Sequence, residues 1–261
     1  MNGAKVRAVV EKEIADARKN KMIVISMALL PLMMVALTLG TALFMLNSVD
    51  TMGEEDMGII PDEWRGLDPK YAFVMLMNDQ YLFYFLLIPM MMPVYIAAYS
   101  IVGEKETKSL EPLLATPVSV SELLLAKSVA AVAPAVILTW LSFVVLVIAG
   151  YFTMPQPVFE GLVRPVWVVG MAVLSPLLAV LSVSSGIIVS SRLNDPRAAQ
   201  QVTGIFVVPI VAVSLLVLSG KIFISVPLVL LAALVTLALD VVLLYFAVKL
   251  FQRETILTRW K

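Results

Sequence analysis

Six long apolar stretches, at 22–46, 81–102, 123–152, 166–191, 202–219 and 222–250, take up most of the chain. Each approaches or exceeds the length of about 20 residues that an α-helix needs to cross a bilayer. The segment before them follows a different pattern. Over residues 1–21, Val6, Val9, Val10, Ile14 and Ala17 share one helical face, while Lys5, Arg7, Lys12, Arg18 and Lys19 are distributed around the rest, as in a helix lying in the membrane interface. The expectation is an all-α integral membrane protein: an amphipathic interfacial helix at 1–21, one six-span membrane domain at 22–250, and a basic tail at 251–261. The first span is too long for the apolar part of a cleaved signal peptide and has no convincing small-residue cleavage site after it.

The polar breaks differ from one another. The longest, 47–80, carries Asp50, Glu54, Glu55, Asp56, Asp62, Glu63, Asp68 and Asp79 against Arg65 and Lys70. It reads as an external segment, with a short surface helix over Pro69 to Asp79 and an aromatic belt of Trp64, Tyr71, Tyr81 and Tyr84. Its acids lack the spacing of a calcium loop and read as a solvated face. Pro89 and Pro93 are expected to kink span two. The break at 103–122 places Glu104, Lys105, Glu106, Lys108 and Glu111 around a stripe of Leu110, Leu113 and Leu114, with i, i+3, i+4 spacing. Pro112 divides it into two short pieces and Pro117 ends it. Ser119 and Glu122 then stand at capping-box spacing, with Val118 and Leu123 placed as a hydrophobic staple. A third break, 192–201, contains the turn former Asn194-Asp195-Pro196, and Gly220-Lys221 is a tight turn between the last two spans.

Charge orients this pattern. The chain is 61% hydrophobic with a mean hydropathy of +0.96 and a net charge of zero, against about 45–50% apolar residues in soluble domains. With the N-terminus inside, 15 of the 19 Lys and Arg residues fall on the cytoplasmic side, leaving Arg65, Lys70, Arg164 and Lys221 outside. Cytoplasmic loops collect basic residues, so both termini and the 103–122 break are expected in the cytoplasm of a multi-pass cell-membrane protein.

The order of residues around that break resembles the type-2 membrane permeases of ATP-binding cassette (ABC) exporters. The matching positions are the charged run Glu104-Lys105-Glu106, then Ser109-Leu110-Glu111, the pair Leu113-Leu114, Pro117, and Lys127 opening span three. Lys108 stands where many relatives have Gly. The resemblance implies that 103–122 is a coupling helix touching a cytoplasmic ATPase through Glu104, Glu106, Leu110, Glu111, Leu113 and Leu114, with Lys127 included in the coupling set at the membrane edge. It also implies a second permease copy, as a homodimer or with a paralogue, and ATP and Mg bound by the partner ATPase.

The remaining chemistry is sparse. No phosphate-binding loop of the Gly-x4-Gly-Lys-Ser/Thr type is present, and the chain has no His and no Cys. No catalytic, cofactor or metal site is expected, nor a nucleic-acid partner. Asp240 is the one acid within the spans, nine residues before Lys249 and so about 13 Å from the cytoplasmic boundary. A carboxylate there costs about 2.5–3.5 kcal/mol on insertion scales. It is expected to face the subunit interior or a wet cavity, either protonated or bonded to a hydroxyl such as Thr236. It could clamp two spans or serve transport. Two other functions remain open: an ion- or proton-coupled secondary transporter using Asp240, and a membrane scaffold without transport.

Overall fold

The computed structural model describes residues 3–48, 61, 64, 66–106, 119–193 and 195–250. They form α1 (Gly3–Lys19), α2 (Lys21–Ser48), α3 (Pro69–Glu106), α4 (Val120–Thr153), α5 (Gln156–Leu162), α6 (Pro165–Val169), α7 (Ser175–Arg192), α8 (Pro196–Thr203), α9 (Val208–Leu218) and α10 (Val226–Leu250). A π-helical turn at Gly170–Leu174 joins α6 to α7, and a 3₁₀ turn at Gly204–Val207 joins α8 to α9. The described residues contain no strand. In a membrane this follows from the backbone, whose polar groups a helix satisfies within itself.

Among the described residues, six helical segments are long and apolar enough to cross a membrane: Met27–Ser48, Pro69–Val94, Ser121–Thr153, Gln156–Ser191, Gln201–Leu218 and Val226–Leu250. The second and fourth form the centre of the bundle. Phe85, Leu86, Ile88 and Met92 of α3 are buried, with Leu178, Ala179, Leu181 and Val183 of α7 and Trp167 of α6. The other four spans present large apolar side chains outward, among them Leu32 and Phe44 of α2, Ile148 of α4, Leu215 of α9 and Leu234 of α10. That surface suits lipid hydrocarbon. Small residues let α3 and α7 approach: a Cβ built on Gly186 would meet Val94 and Ala97 at 3.8 Å, an ordinary packing contact.

Two local expectations take shape as the spacing predicts. The Ser119 side chain accepts from the Glu122 N–H at 3.2 Å and the Glu122 carboxylate accepts from the Ser119 N–H at 3.0 Å, so the capping box starts α4. Val118, its staple partner, lies outside the described residues. Gly220 takes a φ of 70° after α9, and the Lys221 N–H reaches back to the Leu216 carbonyl at 3.2 Å. This is the left-handed helix ending that glycine permits.

Span two departs from expectation. The short helix expected over Pro69 to Asp79 is not separate from it, because α3 runs without interruption from Pro69 to Glu106. It continues through Asn78-Asp79-Gln80 and through Pro89 and Pro93. The solvated reading of Asp79 is therefore corrected: Asn78, Asp79 and Gln80 are all buried.

Candidate functional site

The helices that flank the 103–122 break bring its ends to one end of the bundle. The apolar run of α3 continues through Val102, and the helix then extends four residues to Glu106, about 6 Å at 1.5 Å per residue. Glu104 and Glu106 thus lie in the last turn of α3. Leu110, Glu111, Leu113 and Leu114 lie outside the described residues. The chain returns at Ser119 and enters α4.

Just within this end, three residues from three helices converge. Lys127 of α4 donates from Nζ to Glu13 Oε1 at 2.9 Å and to Ser100 Oγ at 2.5 Å. The Ser100 hydroxyl of α3 donates to Glu13 Oε2 at 2.6 Å. Lys12 Nζ is a further 3.4 Å from Oε1. Both carboxylate oxygens are thus bonded, although Glu13 and Lys127 are only 6% and 4% exposed. A buried ion pair offsets its desolvation only when the remaining donors and acceptors are also satisfied, and Ser100 meets that requirement. Burial alone would push the Glu13 carboxyl up, but the Lys127 ammonium, with the Ser100 and Lys127 hydrogen bonds, outweighs it and holds the group below its ordinary value. A depressed carboxyl contributes stability above its unfolded value and loses it as pH falls through the folded one. The contribution is therefore complete at neutral pH and disappears only below about pH 4.

Lys127 is thus directed into the chain rather than toward an outside partner. Glu13 was missed by the sequence analysis, yet its signal was present. It stands in the same helical stripe as Val6, Val9, Val10 and Ala17, where an unpaired acid would be costly. Ala17 packs on a cluster formed by Ile96, Ala97, Leu124, Ala131, Val183, Ile187 and Ala247. The apolar face of α1 accordingly docks against protein, chiefly along the start of α4.

Asp240 is buried on the face of α10 that also buries Val229, Ala233, Thr236 and Ala247. That face packs mainly against α7. The expected bond to Thr236 is not made, since the Thr236 hydroxyl donates to the Ala232 carbonyl at 2.8 Å. Neither Asp240 oxygen has a hydrogen-bond partner among the described residues, which leaves the clamp reading without a second jaw. An unpartnered buried polar group destabilises a fold by about 1–3 kcal/mol. Asp240→Leu is therefore expected to raise the thermal midpoint of the purified chain. A lowered midpoint would mean that the carboxylate holds a partner.

At the opposite end, Arg164 pairs with Asp79 of α3 and donates to the Gly161 carbonyl at 3.2 Å. Its guanidinium lies 4.6 Å from the centre of the Trp64 ring. With its amide oriented to donate to the Ser214 carbonyl at 3.0 Å, Gln80 accepts from the Leu218 N–H at 2.9 Å, joining α3 to α9.

No curated protein matches the chain. The family described as ABC-2 family transporter protein matches residues 7–243, an interval that includes Glu13, all six apolar helices nearly to the end of α10, and the whole 103–122 break. Together with six apolar spans among the described residues, of which those carrying α3 and α7 form the buried centre, this match establishes that the chain is a multi-pass membrane protein of the ABC-2 family, the membrane subunit of an ABC transporter.

Proposed function

We propose that this permease works as one of two six-span copies in an exporter of the cell membrane, driven by a separate cytoplasmic ATPase that binds ATP and Mg. The observation that carries this reading is the placement of the 103–122 segment within a chain of this family. It connects α3, at the centre of the bundle, to α4, and α3 delivers Glu104 and Glu106 to its start. Leu110, Leu113 and Leu114 supply an apolar stripe for a groove on the ATPase, and Glu104, Glu106 and Glu111 pair with basic residues at the rim. Closure of the ATPases on ATP moves the two coupling segments, hence α3 and α4, and alternates the opening between the copies. Copurification of an ABC ATPase with the tagged permease, in a complex with two permease copies, is the decisive experiment. A monomer that transports without an ATPase would overturn the reading and favour a secondary transporter.

The orientation behind this proposal is separately testable because the chain has no native cysteine. Single cysteines at Asn2 and Lys261 are expected to react only from the cytoplasmic side, and cysteines at Glu55 and Glu160 from outside. Reaction of Glu55→Cys and Lys108→Cys from the same side of intact cells would contradict six spans.

A further inference from the structure

The cluster of Glu13, Ser100 and Lys127 lies at the base of the two helices that the coupling reading requires to move. Ser100 is six residues before the end of α3, and Lys127 is seven residues after the first residue of α4. At 1.5 Å per residue they are about 9 and 10.5 Å from those helix ends. The two helices are bonded there directly, Lys127 Nζ to Ser100 Oγ, and Glu13 bonds to both.

We propose that Glu13, Ser100 and Lys127 are positioning residues that join α1 and the adjoining ends of α3 and α4 into one rigid body, so that motion received by the coupling segment is transmitted to α1. The proposal rests on the coupling function assigned to 103–122. Its physical basis is the geometry of the cluster. A single ion pair across two helices could pivot, whereas a carboxylate with both oxygens bonded to groups on two different helices fixes the third helix in position and rotation. Exchange for water is also hindered, because Glu13 and Lys127 are almost wholly buried. The apolar contact of Ala17 with Ile96, Ala97 and Leu124 and their neighbours lies one turn further along α1, so polar and apolar contacts hold the same face. Without the joint, α3 and α4 could respond to the ATPase while α1 remained behind.

The test uses the whole complex with its copurified ATPase and spin labels on Ala8→Cys and Val129→Cys, two exposed positions on α1 and α4. In complexes carrying the label pair on one copy only, the wild-type background is expected to give one narrow distance, unchanged between the nucleotide-free and ATP-bound complex. Glu13→Gln is expected to broaden it and to reduce permease-stimulated hydrolysis about tenfold or more, with ATPase copurification unchanged. The charge-swapped pair Glu13→Lys/Lys127→Glu is expected to restore both readouts, because the Ser100 hydroxyl can accept from one partner and donate to the other. A distance that shifts between nucleotide states overturns the rigid joint, as does Glu13→Gln with wild-type stimulation and a narrow distance. Should Glu13→Gln fail to fold, the swapped pair decides: a folded swap with a broad distance overturns the joint. Failure of the coupling reading itself would appear elsewhere, as normal stimulation when the leucines of the coupling segment are replaced, with the label distances unaffected.

Discussion

Replacing Leu113 and Leu114 together by aspartate is expected to abolish copurification of the ATPase and all stimulated hydrolysis, while membrane insertion and pairing of the permease copies remain normal. The expectation follows from the polarity pattern of the segment. An apolar stripe among charges in a short polar break meets a partner or a membrane surface, and buried apolar anchors carry most of the energy of such contacts while rim charges set register. Two leucines buried at an interface contribute about 1.5–3 kcal/mol each, and placing two carboxylates in the same groove adds desolvation on top of that loss. An affinity change of several thousandfold at the least is therefore expected from a loss of about 5 kcal/mol. Single replacement of Glu104 or Glu106 is expected to act more weakly and to depend on salt, as rim charges do. Normal binding and activation by the double variant would exclude this segment as the contact and make the 192–201 loop the next candidate.

How much of this was legible in the sequence depends on the range of the interaction involved. The six spans were legible because hydropathy accumulates along the chain and needs no knowledge of neighbours. The capping box at Ser119 and the Gly220 turn were legible for the same reason: their partners lie within a few residues. The start of the helix that carries span two, at Pro69, was not legible because Asn78, Asp79 and Gln80 interrupt the apolar run. Asp79 and Gln80 are accommodated inside the bundle by groups far away in sequence, Arg164 and the backbone of α9. Glu13 shows the same principle at the other end. Its position within an apolar stripe signals that something must neutralise it, but only the fold identifies Lys127, 114 residues later. Asp240 was recognised as an anomaly at once, and the fold shows it buried without supplying the expected hydroxyl.

Arg164→Ala is expected to be the most destabilising change at the end of the bundle remote from α1. Arg164 stands at the corner between α5 and α6, where it caps no helix with its side chain. Its guanidinium therefore remains available to pair with Asp79, to donate to the Gly161 carbonyl and to lie over Trp64. The corner is seated closely on α3: a Cβ on Gly161 would come within 3.2 Å of the Met75 side chain. Removing the arginine leaves Asp79, 5% exposed, without its counter-charge in an apolar bundle, and breaking a buried pair in this way costs about 3–5 kcal/mol. The size of the effect comes mainly from the stranded carboxylate, which distinguishes it from simple loss of a contact. Asp79→Asn/Arg164→Ala is accordingly expected to be more stable than Arg164→Ala alone, a coupling that a double-mutant cycle measures directly. Arg164→Lys keeps the charge but loses the planar group over the indole and is expected to fall between, about 1–2 kcal/mol below the wild type. Thermal unfolding of the purified chains in one detergent separates these cases. A double variant no more stable than the single one would show that Asp79 tolerates burial unpaired, and the corner would then be held by Trp64 and the apolar contacts of α5 with α3 rather than by charge.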